Sequence, residues 1–415
     1  MEHKGRQKGP RRLFVLSVSL LLVLVAIVAI GKANLWGPKI GPPPRVGVAA
    51  APTNPNVRTT PQSTPSYPTS SAIFNVESYG ADPTGKRDST VAIQEAIAAA
   101  ETKPGSEVYF PHGRFILDQP SHKLFTFVID KPIAIVGAGI NQTTIINEVG
   151  KKTPGVKLSR DMFAIEVAPG QQTGGGSGSV ITNMTLDSAT YDAGTDIMDF
   201  ANHTTLSNLK VLAAKSTNTY NYNSFGIRVI AICNPSTASY IYRVDNVIHN
   251  VTIIGQGYAG TTELDLSCQV GTTASNINIT GNGIDVFYSH NDAVSHADLV
   301  GGADGSTHFY TWVITGSFDI DLSHITTNGI GGVIAPDVKL VSHNINISNE
   351  TMLNKSAYLY IGDSRNVTIS RSALGGIAVL PRDSVSGLHV KYTTYSSVRC
   401  TPSVVISGLS GLACP

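Results

Sequence analysis

Asn250-Val-Thr-Ile253 is one of eight copies of a tetrapeptide whose second and fourth residues are apolar. The others are Asn183-Met-Thr-Leu, Asn208-Leu-Lys-Val, Asn276-Ile-Asn-Ile, Asp319-Ile-Asp-Leu, Asn344-Ile-Asn-Ile, Asn366-Val-Thr-Ile and Gly387-Leu-His-Val. Successive copies lie 25, 42, 26, 43, 25, 22 and 21 residues apart. The chain therefore repeats on a unit in the low twenties, doubled where a copy is missing or a loop is inserted. Alternation inside each copy predicts a short strand with one buried face. The period is too short for a pair of helices.

A second alternation follows most copies: Asp196-Ile-Met-Asp, Gly226-Ile-Arg-Val, Glu263-Leu-Asp-Leu, Gly283-Ile-Asp-Val, Gly332-Val-Ile-Ala, Ala357-Tyr-Leu-Tyr and Gly376-Ile-Ala-Val. Four of the seven begin 13 residues after their asparagine. Two strands at a near-fixed offset in every repeat describe an all-β, parallel β-helix, each coil stacked on the one below at about 4.8 Å. The recurring asparagine is then a corner residue. It tolerates the left-handed conformation and can hydrogen-bond its stacked neighbour.

The ends of the chain differ from its middle. Lys4, Arg6, Lys8, Arg11 and Arg12 precede an uncharged apolar run of 18 residues, Leu13 to Ile30. Such a run is near the lower limit for crossing a bilayer, and its basic flank would stay cytoplasmic. Residues 1–33 are read as a basic tail with a signal anchor, with a cleaved signal peptide as the alternative. Residues 34–71 are rich in Pro, Thr and Ser and form an extended linker. Residues 72–415 form the folded domain, exported in either case. With 30 basic and 29 acidic residues the formal net charge is +1, and nothing asks for nucleic acid. Cys233 with Cys268, and Cys400 with Cys414, are candidate disulfides of an oxidising compartment.

The domain opens with Ile73-Phe-Asn-Val-Glu-Ser-Tyr-Gly-Ala-Asp-Pro-Thr-Gly-Lys-Arg-Asp88. A strand and a Gly/Asp/Pro turn precede a helix capped by Asp88 or Ser89, with Ile93, Ala96, Ile97 and Ala100 on one face. Glu107-Val-Tyr-Phe-Pro-His-Gly-Arg-Phe-Ile-Leu117 reads as strand, tight turn, strand. This run resembles the opening of the pectate lyase-like superfamily, in its rhamnogalacturonase and epimerase-type branch. The resemblance implies a right-handed parallel β-helix with an N-terminal capping helix, and a polysaccharide substrate. It supplies no mechanism. The Asn-Thr-Asp, Asp-Asp, Gly-His-Gly and Arg-Ile-Lys motifs of polygalacturonase-like members are missing, as is the Asp-Pro-His-Glu run of alginate epimerases.

Candidate site residues come from the register. Where flanking aliphatics point inward, the residue between them points out, which places Arg228, Asp265 and Asp285 in one outward column. Ile334, Leu359 and Ala378 would continue it, and Asp199 would precede it if the register shifts by one. Paired aspartates need a proton or a cation between them. They could bind Ca²⁺ for a lyase, with Arg228 or another base taking the α-proton, or serve as acid and nucleophile of a hydrolase. A solvated salt-bridge ladder is the structural alternative. Residues 288–308 add His290, His296, His308, Asp292, Asp298 and Asp304, suited to proton transfer or weakly to a metal. Tyr220, Tyr222, Tyr240, Tyr242, Tyr258, Tyr288 and Trp312 are candidates for stacking on sugar rings. The expectation is an exported lyase or glycoside hydrolase acting on uronate-containing, pectin-like glycan, using Asp265, Asp285, Arg228, His290, Asp292 and His296. A non-catalytic glycan-binding surface module is the alternative.

Overall fold

The recurring asparagines do adopt the left-handed conformation: Asn183, Asn208, Asn250 and Asn276 have φ between 50° and 61°. In the computed structural model, residues 72–415 are described except 119–124, 149–160, 167–174, 190–193, 214–224, 235–238, 256–261, 302–309, 336–339, 381–383, 401–404, 408–409, 413 and 415. The expected anchor and linker, residues 1–71, lie outside the described residues. Among the described residues no helix is long and apolar enough to cross a membrane.

Among the described residues the strands form a right-handed parallel β-helix with two long parallel sheets of 17 and 11 strands. Each coil runs along the larger sheet, bends, and crosses to the smaller one. The smaller sheet stacks Phe125–Ile129, Asp161–Ile165, Thr195–Asp199, Phe225–Ile230, Thr262–Ser267, Ile284–Phe287, Trp312–Thr315, Gly332–Ala335, Tyr358–Ile361, Gly376–Val379 and Ser397–Cys400 in that order. Inward residues such as Ile197, Ile227, Leu264 and Ile284 fill one continuous apolar core that runs the length of the coil stack. That burial is the main driving force for stacking. The helix Thr90–Glu101 closes the first coil with Ile93, Ala96, Ile97 and Ala100 buried. Its start is held by Asp88, whose Oδ1 accepts from the Thr90 amide at 3.0 Å, while Ser89 makes no capping bond.

The asparagine marker turns out to track two columns. Asn183, Asn208, Asn250 and Asn276 share one corner, which continues through His296, His324, Asn349, Arg371 and Tyr392, all with positive φ. Asp319, Asn344, Asn366 and Gly387 occupy another corner five residues earlier, below which stand His203, Asp245, Gly271 and Asn291. The 43-residue gap arises because the marker skips His296 and then changes column. The 42-residue gap is a single coil with insertions. Side chains stack along both corners: Asn276 Nδ2 donates to Asn250 Oδ1 at 3.1 Å, Asn366 Nδ2 to Asn344 Oδ1 at 2.7 Å, and the His296 and His324 rings lie parallel at 4.7 Å.

Cys400 and Cys414 are disulfide-bonded, joining the last strand of the smaller sheet to the chain end. Cys268 is disulfide-bonded as well. The side chain of Cys233, its expected partner, lies outside the described residues.

Candidate functional site

Strand pairing puts Arg228, Asp265 and Asp285 in register on three adjacent coils, as direct partners in the smaller sheet. Their flanking residues Ile227, Val229, Leu264, Leu266, Ile284 and Val286 are buried in the core, so the three polar side chains face outward. Arg228 Nε donates to Asp265 Oδ2 at 2.7 Å, and the guanidinium lies over the Phe225 ring at 4.4 Å. Asp265 is also held by the Ser267 hydroxyl and is almost fully enclosed, its side chain 3% exposed against 29% for Arg228. Thr262 Oγ1 donates to Asp285 Oδ2 at 2.8 Å.

Asp285 is therefore the distinctive group. It is half-buried, and burial, helped by the charges of Asp265 and Glu263, pushes it up to about 7; the Thr262 hydrogen bond and Arg228 oppose this only in part. It can hold a proton near neutral pH and release it. The strand that carries it is fixed from below by Glu263, whose carboxylate accepts from the amides of Asn282 and Gly283. Gly281 is needed at that corner, because a Cβ there would lie 2.1 Å from Glu263 Oε1. Burial pushes Glu263 itself up to about 7.

Several expected neighbours are placed elsewhere. Asp199 pairs with Val229, not Arg228; it faces inward, takes hydrogen bonds from the Ala201 amide and the Thr204 hydroxyl, and is pushed up to about 7 by burial. Met198 precedes Arg228 in the column. Val313, Val333 and Tyr360 follow Asp285, displacing the expected Ile334 and Leu359 to the core, while Ala378 keeps its place.

The histidine and aspartate cluster disperses, because residues 288–296 turn two corners. Asp292 points into the core, bonded by the Thr272 amide at 2.8 Å and pushed up to about 7 by burial. His290 is stacked on Phe318 and meets Tyr242 edge-on, bridging to Phe318 of the larger sheet. His296 is an exposed corner residue against His324. None of the three shares the outward face of Asp285. Asp304 and His308, like Tyr220, Tyr222, Tyr258 and the side chain of Tyr240, lie outside the described residues. Trp312 is no sugar platform: it is buried and donates from Nε1 to Glu350 Oε1 at 3.1 Å.

The residues do not fit calcium. That ion takes six to eight oxygens, whereas both oxygens of Asp265 are engaged by Arg228 and Ser267, one oxygen of Asp285 is engaged by Thr262, and a guanidinium sits on the pair. Among the described residues no group of three or more His, Cys, Asp or Glu converges.

The same outward face carries further groups that the alternation pattern could not assign. In the Tyr358–Ile361 strand, Tyr358 and Tyr360 point outward and Leu359 inward. Tyr310 meets Tyr360 edge-on at 5.4 Å, and Arg399 lies over the Tyr358 ring at 4.4 Å.

Comparison with known proteins agrees with this architecture. A mannuronan C5-epimerase of Azotobacter vinelandii is 41% identical over 75 residues, which are 17% of this chain and 4% of that protein. Alginate lyase 7 of the same organism is 40% identical over 75 residues, 17% of this chain and 8% of that one. The chain thus spans a small part of these relatives. Among solved structures the Dettilon tailspike protein superposes with a TM-score of 0.57 at 12% identity, covering 81% of this chain and 66% of that one, a likeness of fold. The family model described as rhamnogalacturonase A/epimerase, pectate lyase-like, matches residues 73–300, more than half of the sequence. On that match and the coil architecture, the chain belongs to the rhamnogalacturonase A/epimerase, pectate lyase-like family.

Proposed function

We propose that this chain cleaves uronate-containing polysaccharide on the outer face of the smaller sheet, with Asp285 delivering the proton to the departing glycosidic oxygen. One observation carries the reading: Asp265 and Asp285 are adjacent and in register, but only Asp265 is closed off by Arg228, leaving Asp285 accessible and poised to hold a proton to about pH 7. Breaking a glycosidic bond by elimination or by hydrolysis requires that proton. Asp265 is too enclosed to attack a sugar. Its part is to fix Arg228 and to raise its neighbour. Arg228, clamped on Phe225 with its outer edge accessible, is the group for the substrate carboxylate. The relatives named mannuronan epimerase and alginate lyase support an acidic glycan as substrate.

The same reading places the domain outside the cell, tethered through Leu13–Ile30 and the proline-rich linker, which the disulfides support. The test is product analysis with the full chain on polymannuronate, polygalacturonate and neutral chains, following unsaturated ends and reducing ends separately. Unsaturated ends mean elimination, reducing ends alone mean hydrolysis. Binding with neither product would replace cleavage by the glycan-binding module.

A further inference from the structure

We propose that Tyr310, Tyr358, Tyr360 and Arg399 form a distal subsite for an acidic sugar, in line with the Arg228, Asp265 and Asp285 column. This rests on the cleavage reading for the identity of the chain that lies between them. The register is continuous: from Asp285 the outward position passes through Val313, Val333, Tyr360, Ala378 and Arg399 on successive coils. At about 4.8 Å per coil, Tyr360 stands about 14 Å and Arg399 about 24 Å from Asp285 along the helix axis. One pyranose ring spans a length comparable with one coil. A glycan laid along the axis would therefore present a new sugar to each rung.

The chemistry changes along that line in a way that suits such a ligand. The first run of charged rungs ends at Asp285. Val313 and Val333 then offer a low apolar floor without hydrogen-bonding groups. Beyond it three half-buried tyrosines cluster, Tyr358 with Tyr360 at 6.0 Å and Tyr310 with Tyr360 at 5.4 Å. Tyr358 is set before any ligand arrives: Ser397 Oγ donates to its hydroxyl oxygen at 2.9 Å, and the Arg399 guanidinium rests on its ring. Preorganised aromatic edges and hydroxyls are what a sugar surface binds at low entropic cost. Arg399 fixes the sign of the ligand. It is exposed, and among the described residues no carboxylate lies within ion-pairing distance of it, so its free donors are available to a uronate. An outward arginine thus bounds this stretch of the face on either side, Arg228 on one and Arg399 on the other.

The test is affinity, which needs no turnover. The full chain is titrated with long polymannuronate and polygalacturonate, with a uronate disaccharide, and with amylose as the neutral chain. Arg399→Gln and Tyr360→Ala should each weaken binding of the long acidic chains about ten-fold, with a smaller effect on the disaccharide, which cannot reach from Asp285 to Arg399. Arg399→Gln changes an exposed side chain, so an unaltered melting temperature secures the comparison if Tyr360→Ala fails to fold. Full affinity for the long acidic chains in folded Arg399→Gln overturns the proposal. Equal affinity of the unaltered chain for amylose and for polyuronate overturns it too. If Arg399→Gln loses affinity while the unaltered chain yields no product, the subsite stands and cleavage fails; if product forms and Arg399→Gln binds as before, cleavage stands and the subsite fails.

Discussion

Asp265 and Asp285 are Cα partners on neighbouring parallel strands, yet Arg228 pairs with only the first of them, at 2.7 Å. Two identical side chains one coil apart thereby acquire different duties, one fixed and one able to exchange a proton. On the proposed function, Asp285→Asn should lower kcat/KM on polyuronate about 100-fold or more. The acid works while protonated, so the unaltered rate should fall as pH rises through about 7. That limb should be missing from whatever rate remains in Asp285→Asn. A pH series of initial rates checks both.

Removing the guanidinium exposes the cost of enclosing Asp265. Arg228→Leu should destabilise the chain by about 3 kcal/mol, because a buried carboxylate loses its counter-charge. The double change Arg228→Leu with Asp265→Leu should recover most of that loss. Urea unfolding of the single and double variants measures it.

The core of this helix stores protons. Asp161 is pushed up to about 6, and Asp199, Glu263, Asp292 and Glu350 to about 7, each mainly by burial. The ordinary values are 3.8 and 4.5, so between about pH 4 and pH 7 the folded chain holds protons that the unfolded chain has released. Stability is then greatest in mild acid and falls as pH rises to about 7, by up to about 1.4 kcal/mol per unit for each such group. Melting temperatures should decline from pH 5 to about pH 7 and level off towards pH 8. Glu350→Gln, which keeps an acceptor for Trp312, should flatten the decline.

The corners make a further expectation. Asn276 has φ 54° and bonds Asn250. Asn276→Ala should cost about 1–2 kcal/mol, since an alanine Cβ is strained in that conformation. Asn276→Gly, which is free to adopt it, should cost less. Melting temperatures of the two variants decide the order.

The coil was legible in the sequence because two physical demands recur at fixed spacing: apolar residues every second position, and a residue that accepts positive φ. The Arg228, Asp265, Asp285 column followed from that alternation and is present. What failed were positions where one residue of register decides the face. Gly332-Val-Ile-Ala reads equally well with Val333 or Ile334 outward, and Ala357-Tyr-Leu-Tyr with Leu359 or its tyrosines. In the first, Ile334 pairs with the inward Ile314 and Gly332 leaves room for the Trp312 ring; in the second, Ile361 pairs with the inward Ile334. Asp292 and Glu350 were illegible for a different reason. Acids that stay protonated in a core carry no pattern that separates them from surface acids, and the His296 and His324 corners defy the preference for asparagine. His290 and His296 were drawn to Asp285 by closeness in sequence, which two intervening bends undo.

Between the two left-handed corners the separation is five residues in every coil from Gly178 and Asn183 to Gly387 and Tyr392, while the coils themselves vary from about twenty to over forty residues. The corner pair therefore acts as a gauge block on chain length. Residues can be added or lost only in the turns that lead to and from the smaller sheet, so variation in this architecture is steered by the backbone itself to the rims of the face where Asp285 and Arg399 stand. A whole coil is the natural unit of exchange, and a single residue inserted between the corners is the change this fold can least absorb.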